Sequence, residues 1–227
     1  MSHSTRLTYG STELAMLAMF GRIVIVATIV PARYVRQAFI DRSYGMPIAN
    51  VCLNIAFEFI FGVIIPTSVA QVVCFVPWLI IDVGIVYSVV KFGPDVWKDS
   101  PLVARNLGAT VAAGIVMFWT IIETVGKDDA AFCLAYTDEL IISTLSIAHL
   151  LKRGNTSGHS FGIWIWRATA TIVAVFAFEW RYWHYPVAHA RVGQPYSTFL
   201  FVTFTLLDLV YLVIYLNLAR KEKSKVT

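Results

Sequence analysis

Charge is scarce in this chain. Asp, Glu, Lys and Arg make up 14% of its 227 residues, against roughly 25% in an ordinary soluble domain. A soluble globule of this size has too little interior to hide a composition that is 58% hydrophobic, and the same apolar content excludes disorder. Cysteine is sparse as well. Cys52, Cys74 and Cys133 lie in apolar stretches, so they supply neither a disulfide framework nor metal-ligand spacing. There is no Gly-rich phosphate loop, no HExxH pair and no aspartate-rich magnesium motif. The last apolar run lacks a lysine, which excludes a retinal Schiff base there. No metal and no cofactor is expected, and no nucleic-acid partner.

What the sequence has instead is long apolar runs, with a mean hydropathy of +0.69. A membrane-spanning helix needs about 20 such residues. The pattern predicts an all-α, polytopic membrane protein: one seven-helix bundle over residues 1–227, with spans near 14–32, 46–65, 70–90, 103–125, 131–151, 162–180 and 198–219. The first run is read as a retained helix rather than a removed signal peptide. Pro47 falls in the first turn of the second span, where its missing N–H costs nothing. Pro66 closes that span, and Pro77 is expected to kink the third. Lys and Arg then divide unevenly. The N-terminus and the loops after spans two, four and six hold four, from Arg6 to Arg191. The other loops and the C-terminus hold twelve, ending in the basic tail Arg220–Lys225. Arg22 and Arg167 fall inside spans. This bias places the C-terminus in the cytosol, and an endoplasmic reticulum location is expected.

Carboxyls deep in a span are costly and normally face the bundle interior. Glu58 shares one helical face with Asn50 and Asn54 at i, i+4 spacing, and Asn54 is expected to hydrogen-bond Glu58. Asp208 carries Phe201, Phe204, Tyr211 and Tyr215 on its own face. Asp82 lies one turn from Trp78, and Glu123 one turn from Trp119. These acids could line a cavity or pair with the buried arginines. Asp138-Glu139 is a weaker candidate of the same kind. His184 and His189 read first as part of an interfacial aromatic belt. An apolar pocket disfavours the charged form of a carboxyl, leaving it able to donate a proton. Aromatic faces stabilise cations. Acid plus aromatic walls suits protonation of a lipophilic alkene or epoxide followed by cationic ring closure. It equally suits a proton-coupled transporter of a small amphiphile.

Asp41-Arg42-Ser43-Tyr44-Gly45-Met46-Pro47, followed by Cys52-Leu53-Asn54-Ile55-Ala56-Phe57-Glu58-Phe59, resembles the fungal integral-membrane meroterpenoid cyclases, a small seven-helix family. Similar to that family, too, are Asp82 with Val86-Tyr87, Lys91-Phe92-Gly93-Pro94 with Trp97, Pro101 to Asn106, Gly158-His159-Ser160 with Ile163-Trp164, Arg181 to Pro186, and Asp208-Leu209-Val210-Tyr211. The resemblance implies a non-metal, protonation-initiated terpene cyclase acting on a lipophilic prenylated substrate with an aromatic, polyketide or indole head. It also implies an upstream prenyltransferase and a flavin monooxygenase in the same pathway. The family's two essential acids fall on Glu58 and Asp208, the expected catalytic pair. Asn54, Trp78, Asp82, Trp119, Phe204 and Tyr211 are the expected substrate-binding residues.

Overall fold

The computed structural model describes residues 28–67, 69–96 and 106–226. They form seven helices and no strand. Residues 28–41 are helical (α1). They are followed by α2 (Ile48–Phe59), α3 (Val69–Val96), α4 (Leu107–Val125), α5 (Lys127–Arg153), α6 (Phe161–His184) and α7 (Pro195–Val226). Residues 14–27 of the expected first span lie outside the described residues, as do Arg6, Arg22, Trp97 and Pro101–Arg105. Helices α3 to α7 are each long and apolar enough to cross a membrane, and the helical stretch Ile48–Ile64 is apolar but shorter. Large apolar side chains stand on the outside, among them Ile80, Val116 and Phe176. This is the surface of a helix bundle in lipid, where hydrocarbon replaces water.

Local sequence explains the element ends. Pro47 immediately precedes α2 with φ −57°, the angle its ring enforces. The Ser160 side chain accepts a hydrogen bond from the Ile163 N–H and so caps α6. Gly154 ends α5 in the left-handed conformation, which favours glycine. Pro77 lies within α3, and the helix continues past it. The last turn of the α2 stretch widens into a π-helix over Ile60–Ile64. Such turns recur at functional sites, and this one begins two residues after Glu58.

Helix α2 is central, packing on α3, α4 and α5, while α7 packs on α5 and α6. Three apolar clusters fill the bundle. One joins Tyr34 and Met46 to Ile85 and Ile163. A second joins Phe57 and Phe61 to Phe118 and Leu134. The third joins Phe132 and Tyr136 to Phe201 and Phe204.

At one end, the loops at 42–47 and 154–160 cross each other. Gly158 has φ +82°, and a Cβ there would lie 2.6 Å from the Tyr44 backbone, so only glycine fits. Arg153 bonds both Ser43 and the Ser157 carbonyl, and its guanidinium stacks on the Tyr44 ring. The Gly158 N–H donates to Asp41. Glu222 of α7 accepts from the Thr156 N–H and hydroxyl. The C-terminal helix is thereby tied to the same clasp.

Candidate active site

A cavity of about 1060 Å³ runs through the bundle, at the upper end of the range for small-molecule sites. Helix α6 lines it with one stripe, Arg167, Ala170, Thr171, Ala174, Ala177, Phe178 and Arg181. The spacing keeps these residues on one face, and the alanines make that face a shallow trough. Helix α5 contributes Phe132, Tyr136, Asp138, Glu139 and Ile142; α2 contributes Asn54, Phe57 and Glu58; α3 contributes Phe75, Trp78 and Asp82. Val30, Pro31 and Tyr34 of α1 complete the wall. At the other end the cavity meets the loop at 187–194.

Four carboxyls reach this cavity away from that loop. Glu58 and Asp82 are 6% and 1% exposed, and Asp138 is 7% exposed. The carboxyls of Asp82 and Asp138 both act electrostatically on Glu58, so the three form one group. Glu58 Oε2, Asp82 Oδ2 and Asp138 Oδ1 are buried without a hydrogen-bond partner. Buried polar atoms are normally satisfied, so three unpartnered carboxyl oxygens on residues of one cavity wall set that wall apart; Asp208 Oδ2 is unpartnered as well, but Asp208 does not line the cavity. Glu139 stands beside them and accepts from the Thr171 hydroxyl at 3.4 Å. Trp78 lines the same space, its indole N–H held by Thr28 at 2.8 Å. Phe57 and Phe75 add edge-on aromatic walls.

Several expectations need correction. Asn54 lies on the cavity wall, but its amide turns to Asp82 and to Met46 Sδ rather than orienting Glu58. Same-face spacing on α2 put it on the side of Glu58, but α3 brings Asp82 to that side as well. Asp208 is 4% exposed but does not line the cavity. It accepts from Arg167 and from Ser143 at 3.1 Å, so of the two roles open to the buried acids it takes the pairing with an intramembrane arginine. Arg167 stands between Asp208 and the cavity. Tyr211 packs behind it, its ring under the guanidinium at 4.8 Å and its hydroxyl bonded to His159 at 2.9 Å. Phe204 is fully buried against Tyr136 and does not line the cavity. Trp119 is 39% exposed on the outer face of α4, because Gly114, Phe118 and Ile122 take the inward face. Glu123 is exposed on the same helix.

Sequence reasoning passed over Tyr34 and gave Arg167, Asp138 and Glu139 lesser weight. Arg167 stood only as an option for pairing. Tyr34 is 2% exposed on the cavity wall, within electrostatic reach of Arg167, and its hydroxyl is buried without a hydrogen-bond partner; it lies just past the expected first span. Asp138 and Glu139 both reach the cavity although they are adjacent, because the space curves around α5. Among the described residues, no group of His, Cys, Asp and Glu has the geometry to hold a metal ion.

A bundle of apolar helices around an aromatic-walled chamber with clustered carboxyls is the architecture of an integral-membrane protein with an internal acidic cavity. Comparison with known proteins agrees. The family model of the Pyr4-like transmembrane terpene cyclases matches residues 14–221, and the chain belongs to that family of membrane-bound enzymes. It is 49% identical over 197 residues to the Pyr4-family terpene cyclase mfmH of Annulohypoxylon moriforme, covering 85% of this chain and 81% of the relative. It is 37% identical to terpene cyclase macJ of Penicillium terrestre, covering 83% and 76%. Terpene cyclase pyr4 of Aspergillus fumigatus is 27% identical, with 82% and 79% covered. No solved structure matches.

Proposed function

We propose that this protein cyclises a prenylated aromatic, polyketide or indole precursor without a metal, by protonating the terminal epoxide or alkene of the prenyl chain. The observation that carries this reading is the group Glu58, Asp82 and Asp138, each with a buried oxygen that lacks a hydrogen-bond partner, on a cavity that Phe57, Phe75, Trp78 and the alanines of α6 also line. Glu58 donates its proton to the epoxide oxygen. The C–O bond opens as an internal alkene attacks, and successive alkenes close rings. A final C–H bond gives its proton back to a carboxylate of the group, so the product is an isomer of the substrate. Phe57, Phe75 and Trp78 face the passing cation. Asp208 fixes Arg167 as a wall of the chamber. The adjoining carboxyls leave the proton shared within the group rather than owned by one side chain.

The same reading makes the chain a seven-span protein of the endoplasmic reticulum with a cytosolic C-terminus. The twelve-to-four division of Lys and Arg supports that orientation. A prenyltransferase and, for an epoxide substrate, a flavin monooxygenase act before it. Microsomes carrying only this protein, incubated with an epoxyfarnesylated phenolic acid, are expected to form an isomeric cyclic product. A proton-coupled carrier would move the compound and return it unchanged.

A further inference from the structure

The two ends of the cavity differ in chemistry. The inner end gathers Glu58, Asp82, Asp138 and Glu139, and Arg167, the guanidinium there among the described residues, is held by Asp208. The loop end presents Arg181, Tyr136 and His189. Tyr136 is 6% exposed, and its hydroxyl is buried with no hydrogen-bond partner. It lies within electrostatic reach of Arg181, whose guanidinium stacks on Phe178 at 5.3 Å. The carboxylate at this end, Asp129, is held by Arg191 at 2.8 Å. From Arg167 to Arg181 the α6 stripe runs fourteen positions, about 21 Å at 1.5 Å per residue, with alanines between.

Resting on the cyclase reading, we propose that the substrate binds tail-first: the prenyl terminus reaches the carboxyls, and an acidic head-group oxygen is held by Arg181 and the Tyr136 hydroxyl beneath the 187–194 loop. The carboxyl-rich inner end repels an anionic head. The loop end offers a guanidinium fork and a phenol donor, the pairing that suits an enolate, phenolate or carboxylate oxygen. Burial and the Arg181 charge hold His189 below the ordinary histidine range. It therefore meets the head at neutral pH as an uncharged ring. Chemistry requires the same orientation, because the proton must reach the end of the chain farthest from the head.

Two measurements test this. Prenylated phenolic acids carrying a photoreactive diazirine on the head or on the chain terminus are crosslinked to the wild-type membrane protein. The head probe is expected to label residues 136 and 178–192, and the tail probe residues 54–58, 78–82 and 138. The reverse pattern overturns the proposal. Labelling reads orientation even if no turnover is seen, so a failure of the cyclase reading shows up separately as absent product. In the second test, Arg181→Gln is expected to raise KM about tenfold to a hundredfold for the acidic substrate with kcat little changed. Arg181→Lys recovers part of the loss, and the methyl-ester, methyl-ether analogue has the same KM in all three proteins. An unchanged KM for the acid in folded Arg181→Gln protein removes Arg181 from the head-group site.

Discussion

Glu58 lines the cavity without a salt-bridge partner, whereas Asp208 lies behind the wall with Oδ1 held by Arg167 and Ser143. Two acids of similar burial should therefore respond differently to amide substitution. Glu58→Gln keeps the shape and removes the proton. Turnover is expected to fall by about 10²–10⁴-fold, with the melting temperature in detergent unchanged. Asp208→Asn leaves the Arg167 guanidinium buried beside a neutral amide. Breaking one side of a buried pair costs about 3–5 kcal/mol, so this variant is expected to lose folded protein as well as activity. The measurement is product formed per unit of monodisperse protein, alongside a melting curve. If both variants melt like the wild type and both still cyclise, neither carboxyl carries the chemistry. Tyr211→Phe removes the bond to His159 but keeps the ring under Arg167, and a mild loss is expected.

The crossing of the 42–47 and 154–160 loops gives the helices their order at that end. His159 lies in this crossing, 2% exposed. Burial, with His149, Arg153 and Arg167 nearby, pushes its pKa well below the ordinary histidine range. The sign follows: the unfolded chain binds this proton at a higher pH than the folded protein does. The stability it contributes is complete above about pH 6.5 and drains away as the pH falls from there. A melting-temperature series from pH 7.5 to 5 is expected to decline, and His159→Gln to flatten that decline. The Asn155-Thr156-Ser157 sequon sits in the same loop. Asn155 donates to the Arg153 carbonyl and accepts from the Ser157 N–H, while Thr156 is bound to Glu222. No glycan is expected there, and a glycosidase-sensitive mobility shift mapped to Asn155 would reverse the orientation.

At the scale of the whole molecule, hydropathy and proline punctuation were enough to place helices α2 to α7, because a lipid-facing helix must be apolar along its length whatever it packs against; the expected first span, 14–32, overlaps α1 only at 28–32 among the described residues. Glu58, Asp82 and Trp78 were legible as cavity residues for a related reason: a costly buried acid on an aromatic face has few other uses. The partnership of each acid was not legible. Asn54 lay equally near Glu58 by helical arithmetic, and only the approach of α3 turned it to Asp82. Asp208 and Arg167 sit on different helices 41 residues apart, and no periodicity within one helix reports such a pairing. Metal independence is testable at this scale. With no ligand spacing in the sequence, excess EDTA is expected to leave turnover unchanged. Loss on chelation with recovery on added magnesium would contradict the acid mechanism.

The alanine trough on α6 acts as a ruler. Ala170, Ala174 and Ala177 leave the space along which a chain would lie, and Ala174 stands seven positions from both Arg167 and Arg181. A bulky side chain at Ala174 would set a stop partway along the chamber, so that a shorter prenyl chain still reaches Glu58 while a longer one buckles against it. Competition between geranyl and farnesyl substrates in an Ala174→Phe protein should shift toward the shorter chain. The catalogue of products open to this scaffold would then be written in small residues along one helix face, with the acid chemistry held constant.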